Sequence, residues 1–160
     1  MPSMADPMEA LRKYQQALNT GMPIDDLDEG YLKRHGKVPS GHKFDCVKIV
    51  GLDVQALAIF GEESPFEGLP RFSLGYAVGE YHRGNNLAFE AVSVGIEELK
   101  KEYRRMGIRG FYLEALISET NVHSINVAKK ICTKPSFPAA DSDSGTPSLC
   151  FHKLIVVGDS

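Results

Sequence analysis

Long apolar runs are the first thing this sequence lacks. No stretch approaches the roughly 18 apolar residues that a membrane span needs, so no membrane partner is expected. The first ten residues hold Pro2, Asp6, Pro7 and Glu9. They lack the basic start and apolar centre of a secretory signal, and a cytoplasmic protein is the expectation. Cysteine is scarce: Cys46, Cys132 and Cys150 are odd in number and far apart. That suggests neither a disulfide framework nor a zinc pair. Each sits among apolar neighbours, as buried thiols do. Positive charge is not in excess either. The formal net charge is -3, whereas a nucleic-acid binder needs a basic face, so no nucleic-acid partner is expected. Lys100, Lys101, Arg104 and Arg105 alternate with Glu97, Glu98 and Glu102, the pattern of a solvated helix face. His35, His42 and His152 are scattered along the chain and suggest no metal set. Repeats are absent, and 160 residues fit one domain.

What is present is an alternation of helical and extended patterns. Residues 7–19 read as a helix, because Met8, Leu11, Tyr14 or Gln15, and Leu18 recur at helical spacing before Gly21. Residues 24–35 suggest a second, short, charged helix, and 37–43 a loop around Pro39 and Gly41. Residues 44–50 and 54–60 are apolar and separated by Gly51, Leu52 and Asp53, a hairpin signal. Residues 62–70 read as a connection and 71–78 as a third strand. In that strand Phe72, Leu74, Tyr76 and Val78 point one way, and Ser73, Gly75 and Ala77 the other. A backbone or a thin ligand can lie on the small face. A long helix is expected over 85–106, with Ala88, Val92, Gly95, Leu99 and Tyr103 as its buried stripe and Gly107 as its stop. A strand over 110–117 follows, giving a βαβ crossover and a parallel pair. A helix over 121–132, a loop over 134–147 and a strand over 149–157 complete the chain.

The turn at residues 79–88 joins the third strand to the long helix. The first amides of a helix lack internal partners, and the helix dipole draws anions to them. Gly84 leaves room for an anion to approach, and Arg83 adds charge. No Gly-Lys-Ser or Gly-Lys-Thr follows, so this is not a nucleotide P-loop. The glycine triplet of a dinucleotide fold is missing as well.

The run Arg83-Gly84-Asn85-Asn86-Leu87-Ala88 resembles the acyl-CoA-binding turn of the GNAT superfamily of N-acyltransferases. That turn reads Gln or Arg, two residues, Gly, one residue, then Gly or Ala. Leu74-Gly75-Tyr76 before it and Phe89-Glu90-Ala91 after it look like the branch that acetylates ribosomal-protein N-termini. Glu119-Thr120-Asn121-Val122-His123-Ser124 is similar to the family's next motif. The resemblance covers about residues 44–157. It implies an α/β (α+β) fold with a mixed, mostly antiparallel central sheet, flanking helices and a βαβ unit that binds acyl-CoA. Residues 1–43 would be a shortened helical region of the same single domain. It also implies acetyl-CoA as cosubstrate, with no metal, and an amine acceptor: a protein N-terminus, a lysine or a small amine.

By the same resemblance, the backbone of Val78, Gly79 and Tyr81 pairs with the pantetheine arm. The backbone from Arg83 through Gly84, Asn85, Asn86 and Leu87 to Ala88 holds the pyrophosphate. Asn121 and Ser124 lie near the thioester. Ser124 is the candidate for stabilising or protonating the leaving thiolate, or else it bonds the backbone of its own first turn. Asn121 reads first as an N-cap. Glu114, mid-strand between Leu113 and Ala115, and then Glu80 are the candidate bases, with a structural ion pair as the other reading of Glu114. His82 and His123 are imidazoles of the kind that titrates near neutrality. The chain departs from the family pattern three times. The turn's central Gly is Asn86, a residue type that tolerates positive φ. The helix Tyr seven residues after Asn121 is Ala128. The opening strand and helix pair are not evident. A reduced acceptor side follows, or one completed by a second copy in a homodimer. The alternative function is a non-catalytic acyl-CoA-binding or regulatory module of the same fold; a protein-interaction domain is a third.

Overall fold

The computed structural model describes residues 6–24, 27–39, 41–132, 136–140, 145 and 147–158. Helix α1 spans Pro7–Asn19. The Asp6 carboxylate accepts the Met8 N–H at 3.0 Å, and Pro7 fills the first turn, where no amide partner is needed. Four strands follow: β1 (Tyr31–Val38), β2 (Gly41–Val50), β3 (Asp53–Phe66) and β4 (Leu69–Val78). Helix α2 is Leu87–Arg105, β5 is Gly110–Ser118 and α3 is Val122–Ile131. Strands β6 (Phe137–Ala140) and β7 (Pro147–Val156) close the chain. The seven strands form one sheet in the order β1-β2-β3-β4-β5-β7-β6. Only β4 and β5 run parallel; every other pair is antiparallel. This is the mixed, mostly antiparallel sheet expected, with its βαβ unit at β4-α2-β5.

Two layers of core follow from the alternation of side chains across the sheet. On one face α2 and α3 cover Phe44, Phe60, Phe72, Leu74, Phe111 and Leu113. On the other, α1 covers Val47, Ile49, Leu57 and Ile59 through Leu11 and Leu18. The expected stripe of α2 is the buried one: Ala88, Val92, Gly95, Leu99 and Tyr103. Gly95 sits directly over the Phe60 ring, and a Cβ built there would run into it. The missing side chain sets how closely α2 approaches β3.

Four expectations are corrected. Residues 37–43 are mostly strand rather than loop, since β1 runs to Val38 and β2 starts at Gly41. Residues 31–35 form strand, not a charged helix. Tyr31, Lys33 and His35 face α2, while Leu32 and Arg34 face α1. The strand is exposed from Arg34 to Lys37, and its charged residues find partners on the helices, so the period of two is masked by polarity. β1 is therefore a strand that the sequence did not reveal; it follows α1 and does not stand in the place of a strand ahead of the helices. Residues 62–70 are not a connection, because β3 and β4 run on to Phe66 and Leu69. Only Glu67 and Gly68 turn between them, both at positive φ (51° and 78°), as two-residue hairpin turns require. Within the expected loop over 134–147, Phe137–Ala140 pairs with β7; most of the remainder lies outside the described residues.

Glu90 on α2 fastens the first two strands. Its carboxylate accepts Lys48 Nζ at 2.8 Å and the Tyr31 hydroxyl at 2.7 Å. The Lys48 ammonium first, and then the Tyr31 hydroxyl, hold the Glu90 carboxyl below its ordinary range. A carboxyl with a lowered folded-state pKa stabilises the fold above its unfolded value and loses that contribution as pH falls through the folded one. Stability is therefore expected to decline as pH drops below about 4.5. In chemical denaturation across that range, Glu90→Gln should show a shallower acid-side decline than the parent; parallel curves would exclude this linkage. Separately, Gly95→Ala should lower the denaturation midpoint by the equivalent of about 1–3 kcal/mol, the usual cost of overpacking. Adding Phe60→Leu should recover part of the loss. Simple additivity of the two would show that the ring contact is not the cause.

Candidate functional site

Strands β4 and β5 pair over only three positions, Arg71 with Tyr112, Phe72 with Leu113 and Ser73 with Glu114. Beyond that point they part. β4 stays with β3 as far as Val78 opposite Ala56, and β5 stays with β7 as far as Ser118 opposite Ser148. The sheet therefore opens as a V, and its unpaired edges face a cavity of about 610 Å³. Leu74, Gly75, Tyr76, Ala77 and Val78 line one wall, and Leu116, Ile117 and Ser118 the other. Asn121, His123 and Ser124 close it from α3, and Asp6 and Met8 reach it from α1. At the far end of β4 the Gly79 N–H donates to Gln55 O at 2.8 Å, toward β3. Successive residues of an extended strand present their amides to opposite edges, so the Val78 N–H faces the open side.

A second cavity, of about 620 Å³, continues from the first. Val78, Ala88 and His123 line both. Its other walls are Gly84, Asn86, Leu87, Asn126, Val127 and Lys130. Here α2 begins. The first helical hydrogen bond runs from Glu90 N–H to Asn86 O at 3.2 Å, so the amides of Leu87, Ala88 and Phe89 have no partner within the helix. Asn86 adopts the left-handed conformation, φ 60° and ψ 23°, and its side chain does not cap the helix. Its Oδ1 instead accepts Lys130 Nζ at 2.9 Å, tying the turn to α3. Gly84, at φ +88°, faces open space. The result is a concave turn of bare amides with a lysine beside it and Arg83 exposed at the rim, an electropositive setting for an anion.

Helix α3 carries the third part. Asn121 is its N-cap and accepts the Ser124 N–H at 3.2 Å. The Tyr76 hydroxyl, from β4, donates to Ser124 O at 2.5 Å. Burial pushes the Tyr76 phenol well above its ordinary range, so it stays a protonated donor. Tyr76 thereby ties the first turn of α3 to the wall of the V. Ala128 is buried in the core beneath α3 rather than lining either cavity.

Of the residues singled out in the sequence, Val78, Arg83, Gly84, Asn86, Leu87, Ala88, Asn121 and Ser124 come together around the two cavities. Asn85 stands beside them, its side chain donating to His82 O at 3.3 Å. Gly79 is occupied by its bond to β3, and the Tyr81 side chain is 91% exposed. Glu80 is exposed on a single 3-10 turn, Glu80–His82. Glu114 is paired with Arg71 at 3.3 Å and lines neither cavity. Tyr76 and Lys130 are the side chains at the site whose part sequence reading missed. Tyr76 carries the strand's buried period, and Lys130 has the look of an ordinary charged helix end.

No family model matches the chain, and no curated protein matches it in sequence. Its fold matches that of solved GNAT acetyltransferases. A ribosomal-protein-alanine N-acetyltransferase from Brucella melitensis superposes with a TM-score of 0.52 at 18% identity, over 96% of this chain and 98% of that one. A putative acetyltransferase from Salmonella typhimurium, solved with its cofactor acetyl-CoA, gives 0.52 at 17% identity, over 99% and 94%. A GNAT-family acetyltransferase from Streptococcus pneumoniae gives 0.54 at 14% identity, over 71% of this chain and 66% of that one.

The left-handed Asn86 can be tested directly. A β-branched side chain at positive φ is strained by about 1–3 kcal/mol, whereas Gly is not. Asn86→Val should therefore lower stability in denaturant by that amount, and Asn86→Gly by much less. Equal losses from the two variants would exclude the left-handed assignment.

Proposed function

We propose that the chain is an N-acetyltransferase that moves an acetyl group from acetyl-CoA to a primary amine by direct attack. The observation that carries this reading is the continuity of the V with the amide turn. An extended arm fits along the edge of β4 while an anionic end rests on Leu87, Ala88 and Phe89, with Lys130 and Arg83 beside it. Acyl-CoA is such a ligand, a thin amide-bearing chain ending in a pyrophosphate. The anionic end would meet partial charge from the helix and full charge from Lys130.

In the reaction, the amine nitrogen attacks the thioester carbonyl carbon, the C–S bond breaks, and the thiolate leaves. The Val78 N–H, directed at the open edge, would stabilise the carbonyl oxygen as it gains charge. Ser124, held by Tyr76 and Asn121, would give the sulfur a hydroxyl hydrogen bond, and the proton that the attacking nitrogen sheds as the amide forms would pass through water and this hydroxyl to the thiolate. The ammonium proton has to leave before attack, and His123, which borders both cavities, is the side chain placed to take it. Glu80 is the second candidate, reaching from outside; Glu114, engaged by Arg71 at the strand vertex and lining neither cavity, is the less favoured base. Positioning supplies much of the acceleration, and the chemistry requires no metal.

The acceptor would arrive from the α1 side. A separate cavity of about 630 Å³ lies there, lined by Asp6, Glu9, Asp45, Glu62 and Glu63 against Lys13, Arg34 and Lys43. Its acids outnumber its bases, and Asp6 also borders the V. Asp45 is 6% exposed; Tyr14 donates to its Oδ2 at 2.6 Å, Lys43 Nζ stands 3.6 Å from the same oxygen, and its Oδ1 has no hydrogen-bond partner among the described residues. Such a surface favours a cationic amine over an anionic acceptor.

A ligand that binds only the folded chain stabilises it, by about 2.7 kcal/mol at a hundred times its Kd. Millimolar acetyl-CoA should therefore raise the melting temperature. Free-thiol release with a panel of amines should then reveal turnover, and Ser124→Ala should lower kcat while leaving the acetyl-CoA thermal shift intact. Absence of a shift with the parent chain defeats the reading. A shift without turnover on any amine supports the non-catalytic module instead.

A further inference from the structure

Histidines 35 and 42, which look scattered in sequence, meet in the fold because the segment expected to be helix and loop is a hairpin. His35 on β1 and His42 on β2 project from the same face of that hairpin toward α2. His35 Nδ1 and His42 Nε2 are 2.8 Å apart. The Glu102 carboxylate on α2 approaches His35 Nδ1 at 3.8 Å. The three potential ligand atoms all lie within 4.8 Å of one another. Each ring is supported from behind. His35 stacks on the fully buried Phe44 at 4.6 Å, and His42 sets its edge on Phe72 at 6.4 Å. The His42 backbone N–H is itself fixed by Glu62 Oε1 at 2.8 Å.

We propose that His35, His42 and Glu102 form a binding site for a divalent transition-metal ion of the Zn2+ class, which clips the β1–β2 hairpin to α2. Two imidazole nitrogens and one carboxylate oxygen are borderline donors. They suit Zn2+ and its late first-row neighbours rather than Mg2+ or Ca2+, which prefer all-oxygen sets. Tetrahedral Zn2+ with Zn–N distances of about 2.0–2.1 Å holds two ligand nitrogens about 3.3 Å apart. The pair in hand needs to open by about 0.5 Å to reach that; the two rings, now inclined by 13° with centroids 5.0 Å apart, must turn so that both lone pairs converge on the ion, and the carboxylate must swing inward. Both facing nitrogens must then present lone pairs. The proton now shared between them moves to the far nitrogen of its own ring, so the pair's charge does not change. The His35 and Glu102 side chains are 41% and 34% exposed, which leaves room for water to complete the coordination.

The site is separate from the acyl-CoA reading and does not depend on it. Glu102 lies 15 residues along α2 from Leu87, about 22 Å at 1.5 Å per residue, so the ion would take no part in acyl transfer. Its effect would be mechanical. β1 is an edge strand whose one neighbour in the described sheet is β2. It already meets α2 through Tyr31–Glu90 and Lys33–Glu98, and a metal bridge at Glu102 would add a third attachment one turn farther along the helix.

The test is titration of the metal-free full chain with Co2+, read by its visible d–d absorption, followed by Zn2+ competition. One saturable site per chain is expected, with Zn2+ displacing Co2+ and raising the melting temperature. His42→Ala should weaken binding by more than about tenfold, since a ligand's loss should exceed the 10–100-fold lower bound set by its mere supporting partners. Because His42→Ala removes packing on Phe72, Glu102→Gln provides a second variant at the helix surface, and it too should weaken binding. His82→Ala and His123→Ala should leave the Co2+ spectrum unchanged. Absence of saturable binding, or binding that survives both His42→Ala and Glu102→Gln, overturns the proposal.

Discussion

The parting of β4 from β5 is the constraint on which the rest of the structure depends. A strand edge buried without partners is costly, because each backbone amide or carbonyl taken from water requires a hydrogen bond. From Leu74 to Val78 one edge of β4 has lost its neighbour, and the matching edge of β5 has lost its own from Ala115 onward. The open cavity is what keeps those groups solvated, and it is also what makes them available to a ligand. Closing the V would satisfy the sheet and abolish the site.

What holds the vertex is burial rather than charge. The Arg71–Glu114 pair lies there, but both side chains are partly exposed, at 21% and 28%, and such pairs contribute about 0–1 kcal/mol. Phe72, Leu113 and Phe111, at or beside the last paired positions, are fully buried, and each large apolar side chain contributes about 1.5–3 kcal/mol. The vertex therefore stays shut because its aromatic cluster cannot be opened cheaply. α3 follows β5, and its first turn closes the mouth of the V. The Tyr76 hydroxyl bound to Ser124 O sets how far α3 can move from β4. The same contact that props the cavity positions the candidate hydroxyl of Ser124.

Much of this was legible in the sequence, for a physical reason: the elements that build the site carry their bulky apolar side chains on one side. The α2 stripe from Ala88 to Tyr103 and the alternation from Phe72 to Val78 stand out because apolar and polar residues separate cleanly. The turn from Arg83 to Ala88 was readable because local geometry alone dictates it, and Asn86 adopts the positive φ that its residue type tolerates. β1 was not readable. Half of it is exposed, and Lys33 and His35 are drawn to Glu98 and Glu102, so the strand's period carries charge instead of apolarity. The meeting of His35 with His42 depends on that hairpin register and was hidden with it. Glu114 was identified as a mid-strand carboxylate in need of a partner; which partner it has, Arg71, is decided by the parallel pairing of two strands 40 residues apart, a tertiary fact.

Asn86 and Ala128 departed from the family pattern, and the structure gives the two different standing. Asn86 keeps the backbone conformation that a glycine would supply, and adds a side-chain bond to Lys130 that a glycine lacks. The turn is therefore retained and fastened to α3, with a cation drawn toward the bare amides of α2. Ala128 is different in kind. It lies under the helix, in the core, where a tyrosine's volume could not be accommodated without displacing Tyr76 and its neighbours. The phenol that the helix does not carry has no room at that position, and the nearest phenol, from β4, is already committed to Ser124 O. On the proposed reading, proton delivery to a leaving thiolate would accordingly fall to Ser124 and water, since the packing around Ala128 leaves no place for a tyrosine there.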